Sequence, residues 1–281
     1  MLDLHQLIAK AYDLDPIPMS GTKLANLVAD PESSLDDITQ VVSLDQALTA
    51  RTLRAANSAA SAARSQITTV KDAVVRLGRS TIVTLGFGAK VRQQLQQPLP
   101  EFGLAENVLW RHSVAAALMV ESLGVLGKVP VPPESYAAAL LHDIGKLVLA
   151  RFLDPETQEY LRRAQEEGSC NPLEAEMEIL EVNHAELGGM IARHWGLPNS
   201  LALGIQYHHN PNQDLPFVCH VVCVANQMAK IIVPESLLPQ PHPEDHLASF
   251  QALRIDAPLE KKVCAAVNTR FAKMLDLFGV S

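Results

Sequence analysis

The segment Leu141-His142-Asp143-Ile144-Gly145-Lys146 is the most informative part of the chain, because it places a histidine and an aspartate side by side among apolar residues. Ala137-Ala138-Ala139-Leu140 precede it and Leu147-Val148-Leu149-Ala150 follow it, which predicts one helix that is buried nearly all round. An unpaired carboxylate in such a helix would cost several kcal/mol. We therefore expect a metal ion to compensate the charge of Asp143.

Further histidines along the chain are candidates for the same site. They are His112, His184, His208 and His209. Imidazole nitrogens combined with one carboxylate oxygen favour iron, manganese, nickel or zinc over calcium or magnesium. Because these residues are far apart in sequence, we expect a site assembled between helices that holds one or two divalent ions.

Several of these residues also have a structural interpretation. His112 could be a core histidine bonded to a carbonyl, and His208-His209 could cap a helix C-terminus. Adjacent residues point about 100° apart on a helix, so one of the two could face away from the site. Lys146 could bind a phosphate or simply extend to water from a helix end. Finally, a set of glutamates predicts a solvated helix start: Glu174, Glu176, Glu178 and Glu181.

The order of these residues resembles the HD superfamily of metal-dependent phosphohydrolases, in particular its HD-GYP branch. Two further blocks are more similar to a sister branch, the HDOD domain. The first runs from Leu44 to Ser58 and continues over Ile67 to Gly78, and the second is Trp195-Gly196-Leu197-Pro198 leading to His208-His209-Asn210-Pro211. The resemblance covers residues 10 to 230 and implies a helical HD-like core preceded by a helical N-terminal subdomain.

Two departures from the HD pattern bear on function. The late aspartate that completes the metal set in HD phosphohydrolases is matched here by Asn226, whose amide oxygen is a weak, uncharged ligand. The Gly-Tyr-Pro triplet of the HD-GYP branch is missing after His209, where Asn210-Pro211-Asn212-Gln213-Asp214 stands. The resemblance therefore implies most of a metal site and an incomplete catalytic one.

Two functions remain open. The first is a non-catalytic HDOD signal-transduction module with a degenerate metal site. Such a module would bind a signalling protein or a small nucleotide-type ligand and could form a homodimer. The second is a metal-dependent phosphohydrolase acting on a nucleotide or cyclic dinucleotide, in which Lys146 neutralises phosphate charge. Asn226 and the missing triplet favour the first.

Composition narrows the class of protein further. The 281 residues are 48% hydrophobic, and the net charge of −8 argues against nucleic-acid binding, which needs a basic face. No apolar run is long enough to cross a membrane and no signal peptide is indicated, so a cytoplasmic location is expected. The cysteines form no Cys-x-x-Cys pair, and Cys219 and Cys223 favour buried small hydrophobes over zinc ligands.

The predicted class is all-α, with an N-terminal helical subdomain over 1–104, an HD-like core over 105–230 and a C-terminal extension over 231–281. Asp45 is expected to cap a helix, and Gly78 to separate a helix over 71–77 from another over 82–91. Residues 218–232 predict an apolar helix and 234–246 a loop. Two or three amphipathic helices are predicted over 247–281.

Overall fold

A computed structural model describes residues 4–12, 14, 16–58, 66–166, 172–233 and 246–278. Within this part of the chain the backbone forms sixteen α-helices, one short 3₁₀ helix and no strand, which confirms the all-α class. The first seven helices are α1 Leu4–Tyr12, α2 Met19–Ala29, α3 Leu35–Leu44, α4 Gln46–Ala56, α5 Val70–Gly86, α6 Gly88–Leu95 and α7 Val108–Gly127, with the 3₁₀ helix Pro100–Phe102 between the last two. The next nine are α8 Ser135–Leu141, α9 Gly145–Phe152, α10 Pro155–Glu166, α11 Pro172–Leu180, α12 His184–His194, α13 Asn199–Gln206, α14 Phe217–Ile232, α15 Leu247–Ala252 and α16 Ala257–Phe278.

The short N-terminal helices begin where their caps predict. Asp45 accepts a hydrogen bond from the backbone N–H of Leu48, as expected for a residue that satisfies a free amide at a helix start. Ser34 and Asp37 form a reciprocal capping box at the start of α3. These local bonds fix the ends of helices whose apolar faces pack together in the core.

One N-terminal prediction was wrong in its bounds. The bend at Gly78 is present, with φ of 77°, which glycine adopts without a Cβ clash. The helix predicted over 82–91, however, is interrupted at Phe87, where α5 ends and α6 begins. Phe87 itself is buried, so packing of its ring accompanies the break in an otherwise helical sequence.

The prediction of one continuous helix through Asp143 was also wrong. α8 ends at Leu141, and His142 to Ile144 form a tight turn before α9. Within the turn the amide of Ile144 donates to the carbonyl of Leu141, and that of Lys146 donates to Asp143, a three-residue spacing typical of 3₁₀ geometry. The turn lies in the buried core, so the side chains of His142 and Asp143 face other side chains and are not in contact with water.

Gly145 allows two backbones to come close together beside this turn. A Cβ at this position would overlap the carbonyl oxygen of His184 and lie 2.9 Å from the backbone nitrogen of Gly188. The backbones of α9 and α12 therefore touch directly, which only glycine allows. This close approach brings the start of α12 against the His142–Asp143 turn.

The remaining helices enclose this core. α7 packs against α8, α14 and α16, and α1 packs against α9 and α12, where Tyr12 stacks on His194 with ring centroids 4.5 Å apart. The apolar helix predicted over 218–232 is confirmed as α14, and α15 and α16 match the two or three helices expected after 246. The loop predicted over 234–246 lies outside the described residues except for His246. No described helix is long and apolar enough to span a membrane.

Candidate metal centre

Asp143 lies at the middle of a buried polar cluster. Its side chain is 3% exposed, and its two carboxylate oxygens face different partners. Oδ2 accepts a hydrogen bond from Nζ of Lys146 at 2.8 Å. Oδ1 lies 3.2 Å from Nε2 of His184 and 3.7 Å from Nε2 of His208 and has no hydrogen-bond partner.

The backbone fixes the orientation of two histidines in this cluster. Nδ1 of His142 is 2.7 Å from the carbonyl oxygen of Ala139, and Nδ1 of His208 is 2.7 Å from that of Ile205. A carbonyl only accepts, so Nδ1 carries the proton in both rings and a neutral ring presents a lone pair at Nε2. Both Nε2 atoms are buried without a hydrogen-bond partner. Metal-binding histidines are held in this way.

Glu176 holds the third histidine and was missed in the sequence, where it was assigned to a solvated helix face. The assignment was wrong: Glu176 on α11 is fully buried. Its carboxylate lies 2.8 Å from Nδ1 of His184 and accepts the backbone N–H of His184 at 2.7 Å. Because His184 is the first residue of α12, this bond also satisfies one of the free amides at the helix start. Glu174 and Glu178 are exposed, as predicted.

Both residues of the His208-His209 pair turn toward the cluster. α13 ends at Gln206, so the 100° separation of adjacent helical residues does not apply to them. His208 is fully buried, and Nε2 of the half-buried His209 lies 2.9 Å from Nε2 of His184. The expectation that one of the two could face away from the site is not met.

On the opposite side of Asp143, His112 meets Asn226. Nε2 of His112 lies 2.9 Å from Oδ1 of Asn226 on α14 and 4.0 Å from Oδ2 of Asp143. His142 is nearer, with Nε2 at 3.3 Å from the same Oδ2. The structure thus brings together every residue singled out in the sequence as a metal ligand, including Asn226.

Lys146 does not extend into water. Its side chain is 19% exposed and its ammonium pairs with Asp143. Lys230, on α14, is a second cation of this region. Burial, followed by repulsion from Lys146, lowers the pKa of Lys230 to about 8.

Burial and mutual repulsion keep most of the ring nitrogens uncharged. Burial, followed by the charge of His142, lowers the pKa of His112 to about 3. The pKa values of His208 and His209 also lie well below the usual value, first through burial and then through neighbouring histidines. Burial alone would raise the pKa of Asp143, but His142 and Lys146 hold it well below its usual value. Neutral imidazoles, as at His112, His208 and His209, are the form that binds a metal. At His184 burial lowers the pKa, but the charge of Glu176 and hydrogen bonds with Asp143 and Glu176 together outweigh burial and raise the pKa above its usual value.

The spacing of these atoms fits a metal ion. Two ligands at right angles on an ion with bonds of about 2.1 Å lie about 3.0 Å apart. The distances given above between neighbouring ligand atoms include three of 2.9 to 3.3 Å. In two groups of residues the candidate ligand atoms all lie within 4.8 Å of one another. One group is Asp143, His184, His208 and His209, and the other is His112, His142 and Asp143.

The cysteines contribute nothing to these groups. Cys219, Cys223 and Cys264 are free and buried, and burial raises the pKa of Cys223 to about 11. Cys223 lies 3.5 Å from Nδ1 of His246, but neither residue belongs to the metal-type groups found in the described ranges. These thiols therefore fit the predicted role of small buried side chains. Cys170 lies outside the described residues.

Comparison with known protein families agrees with this architecture. The family model for the HDOD domain matches residues 14–211, which is most of the chain. The chain belongs to the HDOD family. The match includes His112, His142, Asp143, His184 and the His208-His209 pair and ends before Asn226.

Several proteins are similar to this HDOD chain along most of its length. An HDOD domain protein of unknown function from Geobacter sulfurreducens has a TM-score of 0.72 at 23% identity and covers 98% of this chain and 99% of its own. A Shewanella amazonensis SB2B protein named "Putative phosphohydrolase" has a TM-score of 0.67 at 26% identity, with 96% and 97% covered. A "Putative signal transduction protein" from Marinobacter aquaeolei VT8 has a TM-score of 0.72 at 22% identity, with 95% and 60% covered.

A curated relative is longer than this chain. An uncharacterized protein of Treponema pallidum (strain Nichols) is 27% identical over 240 residues, which is 80% of this chain and 46% of that protein. The HDOD chain thus spans about half the length of the relative.

Proposed function

We propose that this HDOD protein is a non-catalytic signalling module whose core binds a divalent metal ion. The observation that supports the metal is the set of buried atoms without hydrogen-bond partners: Nε2 of His142, Oδ1 of Asp143 and Nε2 of His208. Leaving a buried polar atom unpaired costs about 1–3 kcal/mol, and more for a charged one. A cation beside Asp143 would satisfy Oδ1 together with Nε2 of His208 in one group of close ligand atoms, or Nε2 of His142 in the other.

The same cluster argues against efficient hydrolysis. A divalent ion supplies catalysis by lowering the pKa of a bound water, and two-metal sites hold the attacking and leaving oxygens between the ions. Asn226 offers an uncharged oxygen where a carboxylate would attract an ion, and it is already bonded to His112. Lys146 neutralises the carboxylate oxygen on that side. Both contacts oppose a fully charged two-metal centre.

A bound ion would instead tie several elements together. Its candidate ligands come from the α8–α9 turn, the start of α12 and the segment after α13, with α14 alongside. Metal binding would stabilise one arrangement of these helices, which is a suitable basis for a regulated contact. The expected counterpart is a signalling protein or a small nucleotide-type ligand.

One observation favours the alternative, a phosphohydrolase. Lys146 and Lys230 carry positive charge beside the cluster, as a phosphate site requires. The Shewanella structure carries a phosphohydrolase name, which supports this alternative through similarity alone.

An assay on one metal-loaded sample separates the two functions. The protein is loaded with Mn²⁺ or Fe²⁺, its metal content is measured, and nucleotides and cyclic dinucleotides are offered as substrates. We expect bound metal, lost in Asp143→Asn, and no turnover above the rate of that variant. Turnover on the order of 1 per second or faster, abolished by Asp143→Asn, would establish the phosphohydrolase.

A further inference from the structure

The two sides of Asp143 offer a cation very different surroundings. On the first side, Oδ1 has no hydrogen-bond partner and faces His184 at 3.2 Å and His208 at 3.7 Å. On the second side, Oδ2 already accepts a hydrogen bond from the Lys146 ammonium at 2.8 Å. A divalent ion bound through Oδ2 would have to displace this ammonium or lie next to it, and like charges repel strongly in a buried site.

The histidines on the two sides of Asp143 also differ in the charge of the group that holds them. Nε2 of His112 is held by Oδ1 of Asn226, an uncharged group. Nε2 of His184 is instead directed into the cluster, because the buried carboxylate of Glu176 holds its Nδ1. A carboxylate behind a histidine makes the ring a stronger metal ligand and fixes its orientation. The fully buried Glu176 thus supplies, through His184, negative charge that Asn226 does not supply on the second side.

The contact between His184 and His209 points to the same side. Their Nε2 atoms are 2.9 Å apart. Without an ion between them, one of the two Nε2 atoms has to carry a proton that it donates to the other. A cation between the two lone pairs would accommodate the same spacing, which matches neighbouring ligands on one ion.

We propose that the cluster holds a single divalent ion, bound by Asp143 Oδ1, His184, His208 and His209, and that Glu176 is the positioning residue that selects this side. The His112–Asn226 side holds no ion, because Lys146 already pairs with Asp143 Oδ2 and Asn226 with His112, which leaves only Nε2 of His142 without a partner there. This inference rests on the proposed metal-binding function and adds the number and place of the ions.

Mn²⁺ titration of the full chain tests this number. Calorimetry should give one ion per chain, and the electron paramagnetic resonance spectrum should be that of an isolated ion, without the coupling that two neighbouring ions produce. His208→Ala should abolish binding, whereas His112→Ala should still bind one ion. Circular dichroism checks that each variant is folded.

Glu176→Gln tests the positioning role without removing a ligand. It should weaken Mn²⁺ binding about 10–100-fold, as typically observed when such supporting carboxylates are changed. Glu178→Gln makes the same change on the same helix at an exposed position and should leave the dissociation constant unchanged. Equal affinities for Glu176→Gln and wild type would refute the role of Glu176.

Asn226→Asp tests whether the second side lacks an ion because it lacks a second carboxylate. A carboxylate beside His112 should create a second, weaker Mn²⁺ site and introduce coupling in the resonance spectrum. Two ions in the wild type, or loss of binding in His112→Ala, would overturn the single-ion assignment and leave metal binding intact. No Mn²⁺ bound to the wild type would instead overturn the proposed metal-binding function together with this inference.

Discussion

The helices of the N-terminal half and those around Asp143 share one apolar core but differ in the polar groups that they bury. Between residues 16 and 86 the described buried polar side chains are all hydroxyls: Ser20, Ser33, Thr52, Thr81 and Thr84. Around the α8–α9 turn they include charged and imidazole groups: His142, Asp143, Glu176, His184 and His208. A buried hydroxyl costs less than a buried charge, which is retained where it binds something. Buried charge is thus found around the α8–α9 turn, whereas the described helices between residues 16 and 86 bury apolar groups and hydroxyls.

The largest expected effect is a loss of folding stability when the contact between α9 and α12 is changed. Gly145→Ala should destabilise the protein by about 3 kcal/mol or more, because the new Cβ would overlap the His184 carbonyl and neither backbone can move freely. Gly124→Ala is the matched control, since its Cβ would meet Val131 at an ordinary 3.6 Å and the change favours the helix by up to about 1 kcal/mol. Urea denaturation measures both. A Gly145→Ala protein as stable as Gly124→Ala would show that the contact between α9 and α12 is not tight.

Mn²⁺ bound at the cluster around Asp143 should raise the free energy of unfolding. At a Mn²⁺ concentration about 100 times its dissociation constant, linkage predicts about 2.7 kcal/mol of added stability. For a chain of this length that corresponds to a rise in Tm of roughly 5–10 °C. Asp143→Asn should abolish the rise, whereas Asp36→Asn, at an exposed position, should keep it. A full rise in Asp143→Asn would contradict the assignment of Asp143 as a ligand.

In the N-terminal half, Asp45→Ala should cost about 1–2 kcal/mol. The change removes the acceptor for the Leu48 amide and for the Ser20 hydroxyl, which lies 2.7 Å away. Asp45→Asn keeps a capping oxygen and should lose less. Neither variant should change the dissociation constant for Mn²⁺, and a change in that constant would show that the two regions are coupled.

The smallest effect is expected where the regions meet. The hydroxyls of Thr84 on α5 and Tyr136 on α8 are 2.9 Å apart in a buried contact. Tyr136→Phe should cost about 1 kcal/mol, the usual value of one hydrogen bond. In a double-mutant cycle with Thr84→Val, a positive coupling energy is expected. A coupling energy of zero would show that this bond does not contribute to holding the two regions together.

The same contrast explains how much the sequence could predict. Caps and apolar periodicity act locally, so the cap at Asp45, the bend at Gly78 and the helix predicted over 218–232 followed from the residues themselves. The break at His142 to Ile144 did not, because every residue there accepts helical geometry and the contact of Gly145 with a distant carbonyl accompanies the turn.

The sequence predicted which candidate ligands belong to the cluster, but not which residue supports them. His112, His142, Asp143, His184 and the histidine pair were named from their order, and the structure places them together. Glu176 could not be distinguished from Glu174 and Glu178, which share its helix and its chemistry. Only the packing of α11 against the start of α12 shows which of the three glutamates is buried.

Anomalous X-ray scattering from crystals grown with Mn²⁺ would locate the ion itself. We expect one strong peak, at about 2.0–2.3 Å from Asp143 Oδ1 and from the Nε2 atoms of His184, His208 and His209. Asn226 Oδ1 should remain hydrogen-bonded to His112 in the same map. Two peaks on either side of Asp143, a single peak between His112 and Asn226, or no peak in the cluster would contradict the account.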